Sequence, residues 1–342
     1  MADTSLLLQG FKFTNLTPLQ GGRNNRVYHA FGPSGDVLIK QYFYSPSDTR
    51  DRLISEFSML TFLCGQGVNN IPEPLLSDLQ THTGVYRFLH GTPVDSNTIS
   101  ERDVISFAVL LNIMWLLRNS PKAQNLPLAS EACFSIKEYV DKIKNRFVLF
   151  TQLASIDSVT EKVSHFINDK LQPFFNKLTS QVESNESIYT QILNPSLRTL
   201  SPSDHGFHNA IRTEEGVLYF IDFEYAGWDD PVKMVCDALL QPDKPVPETF
   251  HSLFLNNVRQ VMHPIDSFVN RIKYVHPLLG IKWCLIMLNE FLPLSEARRK
   301  FAGKDTGDNF KKIQLERSMN LFDRIHEQFN QNYIVNTITN LV

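Results

Sequence analysis

The hydrophobic period changes twice along this chain, which rules out any single repeating architecture. Val27-Tyr28-His29-Ala30-Phe31 and Val37-Leu38-Ile39-Lys40-Gln41-Tyr42 are β-rich runs around Gly32-Pro33-Ser34-Gly35-Asp36, and together they predict a hairpin. From Ser47 the period lengthens. Leu53, Phe57, Leu60 and Cys64 recur at helical spacing, with Pro46-Ser47-Asp48 as the expected start and Gly65-Gln66-Gly67 as the stop. Gly84 to Leu89 predicts a further strand. After His90-Gly91-Thr92-Pro93 the pattern is mostly helical, and Ser100-Glu101-Arg102-Asp103 predicts a capping box opening an apolar helix through Leu117. More helices are expected over 135–190 and 280–330. Between them, Leu197 to Ser201 and Val217 to Ile221 revert to strand-like runs. The expected class is α+β. A small antiparallel β-rich lobe over residues 1–90 should precede a larger, mostly helical lobe over 91–342, joined near Phe88 to Gly91.

Composition narrows the function classes. With 342 residues, 42% of them hydrophobic, the chain can bury a sizeable core across two lobes. A formal net charge of −3 excludes the basic excess of an electrostatic nucleic-acid binder. The longest apolar stretch, Val104 to Leu117, is interrupted by Ser106 and Asn112 and falls short of the roughly 20 residues a bilayer span takes. The N-terminus lacks the basic and apolar regions of a secretory signal. Cys64, Cys133, Cys236 and Cys284 are scattered in apolar contexts, as expected of buried free thiols in a reducing compartment. A cytoplasmic protein with neither nucleic-acid nor membrane partners is expected.

Several short motifs occur in an order that suits phosphoryl transfer. That chemistry needs a phosphate cradle, a cation on the phosphates, metal ligands and a group to receive the acceptor's proton. Gly21 and Gly22, in Leu19-Gln20-Gly21-Gly22-Arg23-Asn24-Asn25-Arg26, let backbone N–H groups approach an anion, although taken alone the pair reads better as a plain Gly-Gly hairpin turn. Lys40 ends the next strand, from which it can project over that loop. Glu56, on the border of the following helix's apolar face, is placed to pair with Lys40 or to stay a surface carboxylate. Asp204 and Asn209 sit five apart in a polar loop, and Asp222 ends a strand thirteen residues past Asn209. Amide and carboxylate oxygens from Asn209 and Asp222 suit Mg²⁺, with Asp204 directed at an acceptor hydroxyl. His205 and His208 have no cluster of further zinc ligands around them and read as loop braces or substrate contacts. Ser203 lacks a Gly-x-Ser-x-Gly elbow, so a serine hydrolase is a distant alternative.

Taken in order, the Gly-rich loop, strand lysine, helix glutamate, Asp204-x4-Asn209 and Ile221-Asp222-Phe223-Glu224 resemble the aminoglycoside phosphotransferase and choline kinase-like superfamily. Gly227-Trp228-Asp229-Asp230-Pro231 and Asp237-Ala238-Leu239 resemble the segment that follows. The resemblance runs over roughly residues 15–330. It implies a protein-kinase-like two-lobed fold and an ATP- and Mg²⁺-dependent kinase acting on a hydroxyl of a small molecule: an amino sugar, a sugar or an amino alcohol. It implies catalytic Asp204, metal-binding Asn209 and Asp222, and a nucleotide site of Gly21, Gly22, Asn25, Lys40, Glu56, Phe88 and His90, with adenine on the backbone of the Phe88–His90 connector. Two departures stand out. Pro202 occupies the place of the family's loop histidine, and Gly206-Phe207-His208-Asn209 replaces His-Pro-Gly-Asn. Proline offers no donor, so the loop must be braced differently. This departure motivates the alternative of a catalytically silent, kinase-like nucleotide-binding module.

For the acceptor, residues 200–262 carry ten acidic residues against four basic ones, a surplus that would suit a cationic acceptor. Asn289, Glu290, Trp228 and Asp229 are further candidates for its pocket.

Overall fold

The computed structural model describes residues 5–19, 25–33, 35–45, 50–151, 153, 157–258, 261, 265–293, 299, 301–302 and 308–341. Its first part is a six-stranded antiparallel sheet: β1 (Leu6–Leu8), β2 (Phe11–Leu19), β3 (Asn25–Gly32), β4 (Gly35–Tyr42), β5 (Pro74–Asp78) and β6 (Thr83–Arg87), in the order β1-β2-β3-β4-β6-β5. The predicted hairpin is β3–β4, with Val27 opposite Lys40. Because strand side chains alternate between faces, β4 buries Val37 and Ile39 with Leu8, Phe13, Ala30 and Val85 on one side. Leu38 and Lys40 emerge on the other, where both line a cleft.

Helix α1 (Arg52–Gly65) crosses between β4 and β5 in the chain. Asp51 caps it by accepting from Ile54 N at 2.9 Å, and a carboxylate at that position satisfies one of the helix's orphan donors. The predicted start at Pro46-Ser47-Asp48 lies outside the described residues. The Ser100–Asp103 capping box does open α2 (Glu101–Leu117), with Arg212 pairing Asp103 at 2.8 Å from across the fold.

The rest is mostly helical: α3 (Ile136–Phe150), α4 (Ser158–Phe166), α5 (Gln172–Glu183), α6 (Glu186–Thr190), α7 (Pro231–Leu240), α8 (His251–Asn257), α9 (Ile265–Leu288), α10 (Asp308–Asn330) and α11 (Tyr333–Thr339). The long α9 packs against α3, α7 and α10 and forms the spine of a single large apolar core. Two small sheets sit where this region meets the first sheet. Here β7 (Thr92–Pro93), β9 (Ala210–Arg212) and β10 (Leu218–Phe220) pair side by side, and β8 (Thr199–Ser201) pairs with β11 (Gly227–Asp229). The connector is clamped onto β9. A Cβ on Gly91 would lie 2.5 Å from the Arg212 carbonyl oxygen, so only glycine fits there. The architecture is the two-lobed, kinase-like α+β arrangement expected. No described helix is long and apolar enough to cross a membrane.

Candidate active site

A cleft of ≈ 1430 Å³ runs between the first sheet and the helical region. At its floor the Lys40 ammonium sits 2.6 Å from Glu56 Oε2, 2.5 Å from Asp222 Oδ1 and 3.5 Å from Glu224 Oε2. The pairing of Lys40 with Glu56 is therefore present, and the surface alternative for Glu56 is excluded: the residue is buried. Tyr42 donates to Glu56 Oε2 at 2.6 Å and shares a 2.7 Å hydrogen bond with Tyr86, while Phe223 N donates to Glu56 Oε1 at 3.3 Å. A Cβ on Gly84 would lie 2.5 Å from the Tyr86 hydroxyl, which keeps that position free for the tyrosine.

Charge does not balance at this floor. The carboxylates of Glu56, Asp222 and Glu224 lie within 4.8 Å of one another around a single ammonium. Burial works against the charge on Lys40, yet Asp222, Glu56 and Glu224 outweigh it and hold its pKa well above the ordinary lysine value. Asp222 bears the surplus. Burial, joined by Glu224 and Glu56 and only partly offset by Lys40, pushes it up to about 7. Glu224 is shifted the other way, because Lys40, the Asn25 amide at 2.5 Å and Arg52 more than offset its burial. Asp222 also takes φ +67° and Ser203 φ +68°, left-handed conformations uncommon outside glycine that concentrate at functional sites.

The loop from Pro202 to Asn209 forms the opposite wall. Ile221 N donates to the Asn209 carbonyl at 2.9 Å, which sets Asn209 beside Asp222. Asn209 Nδ2 donates to the Asp204 carbonyl at 2.9 Å, freeing its Oδ1 as a ligand atom. The donor set of Asn209, Asp222 and the neighbouring carboxylates is all oxygen with a surplus of negative charge, and it fits Mg²⁺. Asp204 Oδ1 lies 3.3 Å from Gln241 Nε2 and 3.5 Å from His208 Nε2. Burial would raise its pKa, but His208 and Gln241 prevail and hold it at about 2.

The brace expected to stand in for a donor at Pro202 is built from that residue's neighbours. Ser203 N donates to Ser201 Oγ at 3.0 Å, and Ser203 Oγ donates to the Ser130 carbonyl at 3.1 Å while accepting from Lys233 Nζ at 3.0 Å. Lys233 in turn pairs with Asp229 at 2.6 Å and Asp237 at 2.9 Å, all three essentially inaccessible to solvent. His205 hydrogen-bonds the Met234 carbonyl through Nε2 at 2.7 Å and packs on Phe107. Removing one member of such a buried network strands the others. Lys233→Met should therefore lower unfolding free energy by roughly 3–5 kcal/mol in denaturant titration; a loss below ~1 kcal/mol would deny this ion pair its bracing role.

Burial also depresses His205 and His251 to about 4 and His276 to about 3. Their unfolded value is near 6.5, so below that pH the unfolded chain binds protons that the folded chain refuses. Stability contributed by the neutral rings is complete above pH ~6.5 and is lost as pH falls towards the folded values. The thermal midpoint should drop steadily from pH 7 to pH 5, and His276→Phe should flatten that slope. An unchanged slope would contradict the burial of a neutral ring.

The predicted site residues largely converge. Asn25, Lys40, Glu56, Phe88, Asp204, Asn209 and Asp222 all line the cleft. Gly21 and Gly22 lie outside the described residues. The His90 side chain turns away to Asp36, 3.2 Å distant and largely solvent-exposed, leaving only the connector's backbone for a ligand. Asn289 and Glu290 line the cleft, and Glu290 pairs with Arg299. Trp228 and Asp229 do not: Trp228 Nε1 donates to the Ala123 carbonyl at 3.0 Å, and Asp229 belongs to the Lys233 brace. The acidic surplus of 200–262 is answered inside the protein. Asp229 and Asp237 pair with Lys233, Asp230 with Arg271, and Asp243 with Arg317. Glu224, Tyr42, Tyr86 and Gln241 are site residues that sequence reasoning missed. Only Glu224 carried a signal, as the last residue of Ile221-Asp222-Phe223-Glu224.

No protein-family model and no curated protein matches the chain. Solved structures do. The choline kinase LicA from Streptococcus pneumoniae superposes with a TM-score of 0.57 at 18% identity, covering 93% of this chain and 95% of that one. An ethanolamine kinase from Plasmodium vivax gives 0.55 at 15% identity over 91% and 83% of the two chains. A spectinomycin phosphotransferase solved with ADP and spectinomycin gives 0.51 at 15% over 96% and 93%. At these identities the likeness is one of fold, and it extends over nearly the whole of both chains. The chain thus shares the two-lobed fold of these choline, ethanolamine and spectinomycin kinases.

Proposed function

We propose that this protein is a Mg²⁺-dependent kinase that transfers the γ-phosphoryl group of ATP to a hydroxyl of a small molecule. One observation carries the reading: three carboxylates converge on one ammonium at the floor of the interlobe cleft, beside Asn209 and Asp204. Such a floor has a deficit of positive charge that a divalent cation bridging to phosphates would fill. Residues 1–90 would supply the nucleotide lobe, and 91–342 the catalytic loop and acceptor site. Phe88 N already donates to the Asp36 carbonyl at 3.2 Å, so the remaining backbone groups of the Phe88–His90 connector are the ones left for adenine.

In this mechanism Lys40, held by Glu56, contacts the phosphates as a point charge. Asn209 and Asp222 would hold Mg²⁺, which would supply positive charge against that developing on the transferred group. Asp204 orients the acceptor hydroxyl and takes its proton. A carboxylate held near pKa 2 is a weak base, but phosphoryl transfer asks mainly for positioning, and the proton leaves late. Gln241 and His208 fix the carboxylate's direction.

Pro202 favours a second reading, a silent nucleotide-binding module. Against it, the Ser203–Lys233 brace and His205 support the loop by another route, and Asp204, Asn209 and Asp222 all line the cleft. A nucleotide-consumption screen over amino sugars, amino alcohols, sugars and nucleosides separates the two. The kinase releases ADP in an acceptor- and magnesium-dependent way; a module binds MgATP and releases none with any acceptor.

A further inference from the structure

Beyond Asp204 the cleft wall is cationic. Lys142 and Arg146 from α3 and Lys282 from α9 meet around Glu131, three cations against one carboxylate, and all four line the cleft. Arg146 pairs with Glu131 at 3.0 Å, yet its Nε is buried without a partner, and Lys142 donates to the Ala132 carbonyl at 2.9 Å. Glu131 is fully committed. Despite its burial, Arg146, Lys282 and Lys142 hold its pKa at about 2.

Lys282 is the telling residue. It is 6% exposed, and among the described residues its ammonium makes no hydrogen bond. Its nearest carboxylate oxygen, Asp237 Oδ1 at 3.9 Å, already accepts from Trp283 Nε1 at 2.9 Å, while Lys233 sits 2.9 Å from Asp237 Oδ2. A buried ammonium without hydrogen bonds is costly, and proteins keep such groups where a ligand completes them. The cluster also adjoins the catalytic loop: Ser203, next to Asp204, hydrogen-bonds Ser130, the residue before Glu131. Lys282 Nζ lies 5.2 Å from the centroid of the Trp283 ring, so a quaternary ammonium stacking on that face would meet a like charge.

Resting on the kinase reading above, we propose that the acceptor alcohol carries an anionic group, a carboxylate or a phosphate, bound by Lys282 together with Lys142 and Arg146. The anion would take the open positions on the Lys282 ammonium and the Arg146 guanidinium, leaving the acceptor's hydroxyl over Asp204. This replaces the cationic acceptor that the acidic surplus of residues 200–262 suggested.

Two arms test it. In the first, sulfate is titrated into wild-type protein and Lys282→Met, following the thermal midpoint. The difference between the two isolates this site from anions seated among the nucleotide contacts. Wild type should show a saturable rise, and Lys282→Met should weaken its midpoint concentration at least tenfold, as loss of a charge-assisted contact requires. Without sulfate, Lys282→Met should melt no lower than wild type, because it removes an ammonium lacking hydrogen bonds. Identical sulfate responses, or a variant that melts well below wild type, would overturn the proposal and make Lys282 a structural partner of Asp237.

The second arm measures turnover with MgATP over a matched series: glucose, glucosamine, glucuronate and glucose 6-phosphate, with choline and glycerate as further alcohols. A preference for anionic members, lost in Lys282→Met through KM, supports the proposal, and the better of glucuronate and glucose 6-phosphate tells carboxylate from phosphate. Efficient transfer to glucosamine or choline, unchanged in the variant, overturns it while leaving the kinase reading intact. No transfer to any alcohol, with the sulfate difference present, leaves the anion site standing and removes the kinase.

Discussion

Asp204→Asn should still bind MgATP with near wild-type affinity while turnover falls by about 10²–10⁴-fold, the usual contribution of a positioned proton acceptor. The substitution keeps the side chain's shape and an amide oxygen that can still accept from Gln241 Nε2, whose own oxygen is held by the backbone N–H groups of Asp243 and Lys244. What it removes is the charge and the lone pair that take the hydroxyl proton. Because the lesion lies on the acceptor's side of the cleft, the loss should appear in kcat and kcat/KM together. Asp204→Asn that lost nucleotide binding would mean the two loops had been given each other's roles.

The nucleotide side should respond in the opposite sense. Lys40→Ala and Asp222→Asn should each weaken magnesium-dependent ATP binding by more than tenfold, since each removes a charge-assisted contact to the phosphates or the metal. The variants differ when nucleotide is absent. Lys40→Ala leaves Glu56, Asp222 and Glu224 within 4.8 Å of one another with only Arg52, 3.9 Å from Glu224, as a neighbouring cation, so it should also lower the thermal midpoint. Asp222→Asn relieves that crowding and should leave stability equal or higher. Lys40→Arg should not restore binding, because a planar fork cannot repeat contacts of 2.5 and 2.6 Å made by one point charge to two carboxylates. Isothermal titration with and without Mg²⁺ reads all three variants, and a Lys40→Ala protein of unchanged affinity would return that lysine to a purely structural role.

How much of this was legible in the sequence follows from how local each contact is. The β3–β4 hairpin joins neighbours, and its alternation placed Lys40 on the face opposite Val37 and Ile39. The α2 capping box spans three residues and was read in full. Asp204, Asn209 and Asp222 were legible because their spacing within one short stretch is itself the motif. The contacts that finish the site are long-range. Asn25 reaches Glu224 across 199 positions, Tyr42 meets Tyr86 across 44, and Gln241 meets Asp204 across 37. No periodicity announces such pairs. Apolar spacing marked the buried face of helix α1 but not its first turn, which Asp51 decides through its cap. The acidic surplus misled for a related reason. Charge counted along a window ignores Arg271 and Arg317, which neutralise Asp230 and Asp243 from outside it. The cationic wall was invisible as well, since α3 and α9 supply it from distant parts of the chain.

The central claim is that this cleft transfers a phosphoryl group to an alcohol, and the destination of a γ-labelled phosphate tests it most directly. Under single-turnover conditions with MgATP and a mixed pool of anionic, neutral and cationic alcohols, the label should move to one organic product, with Asp204→Asn slowing that step. Label that stays on ATP, or that appears only as inorganic phosphate regardless of the alcohols present, would contradict it.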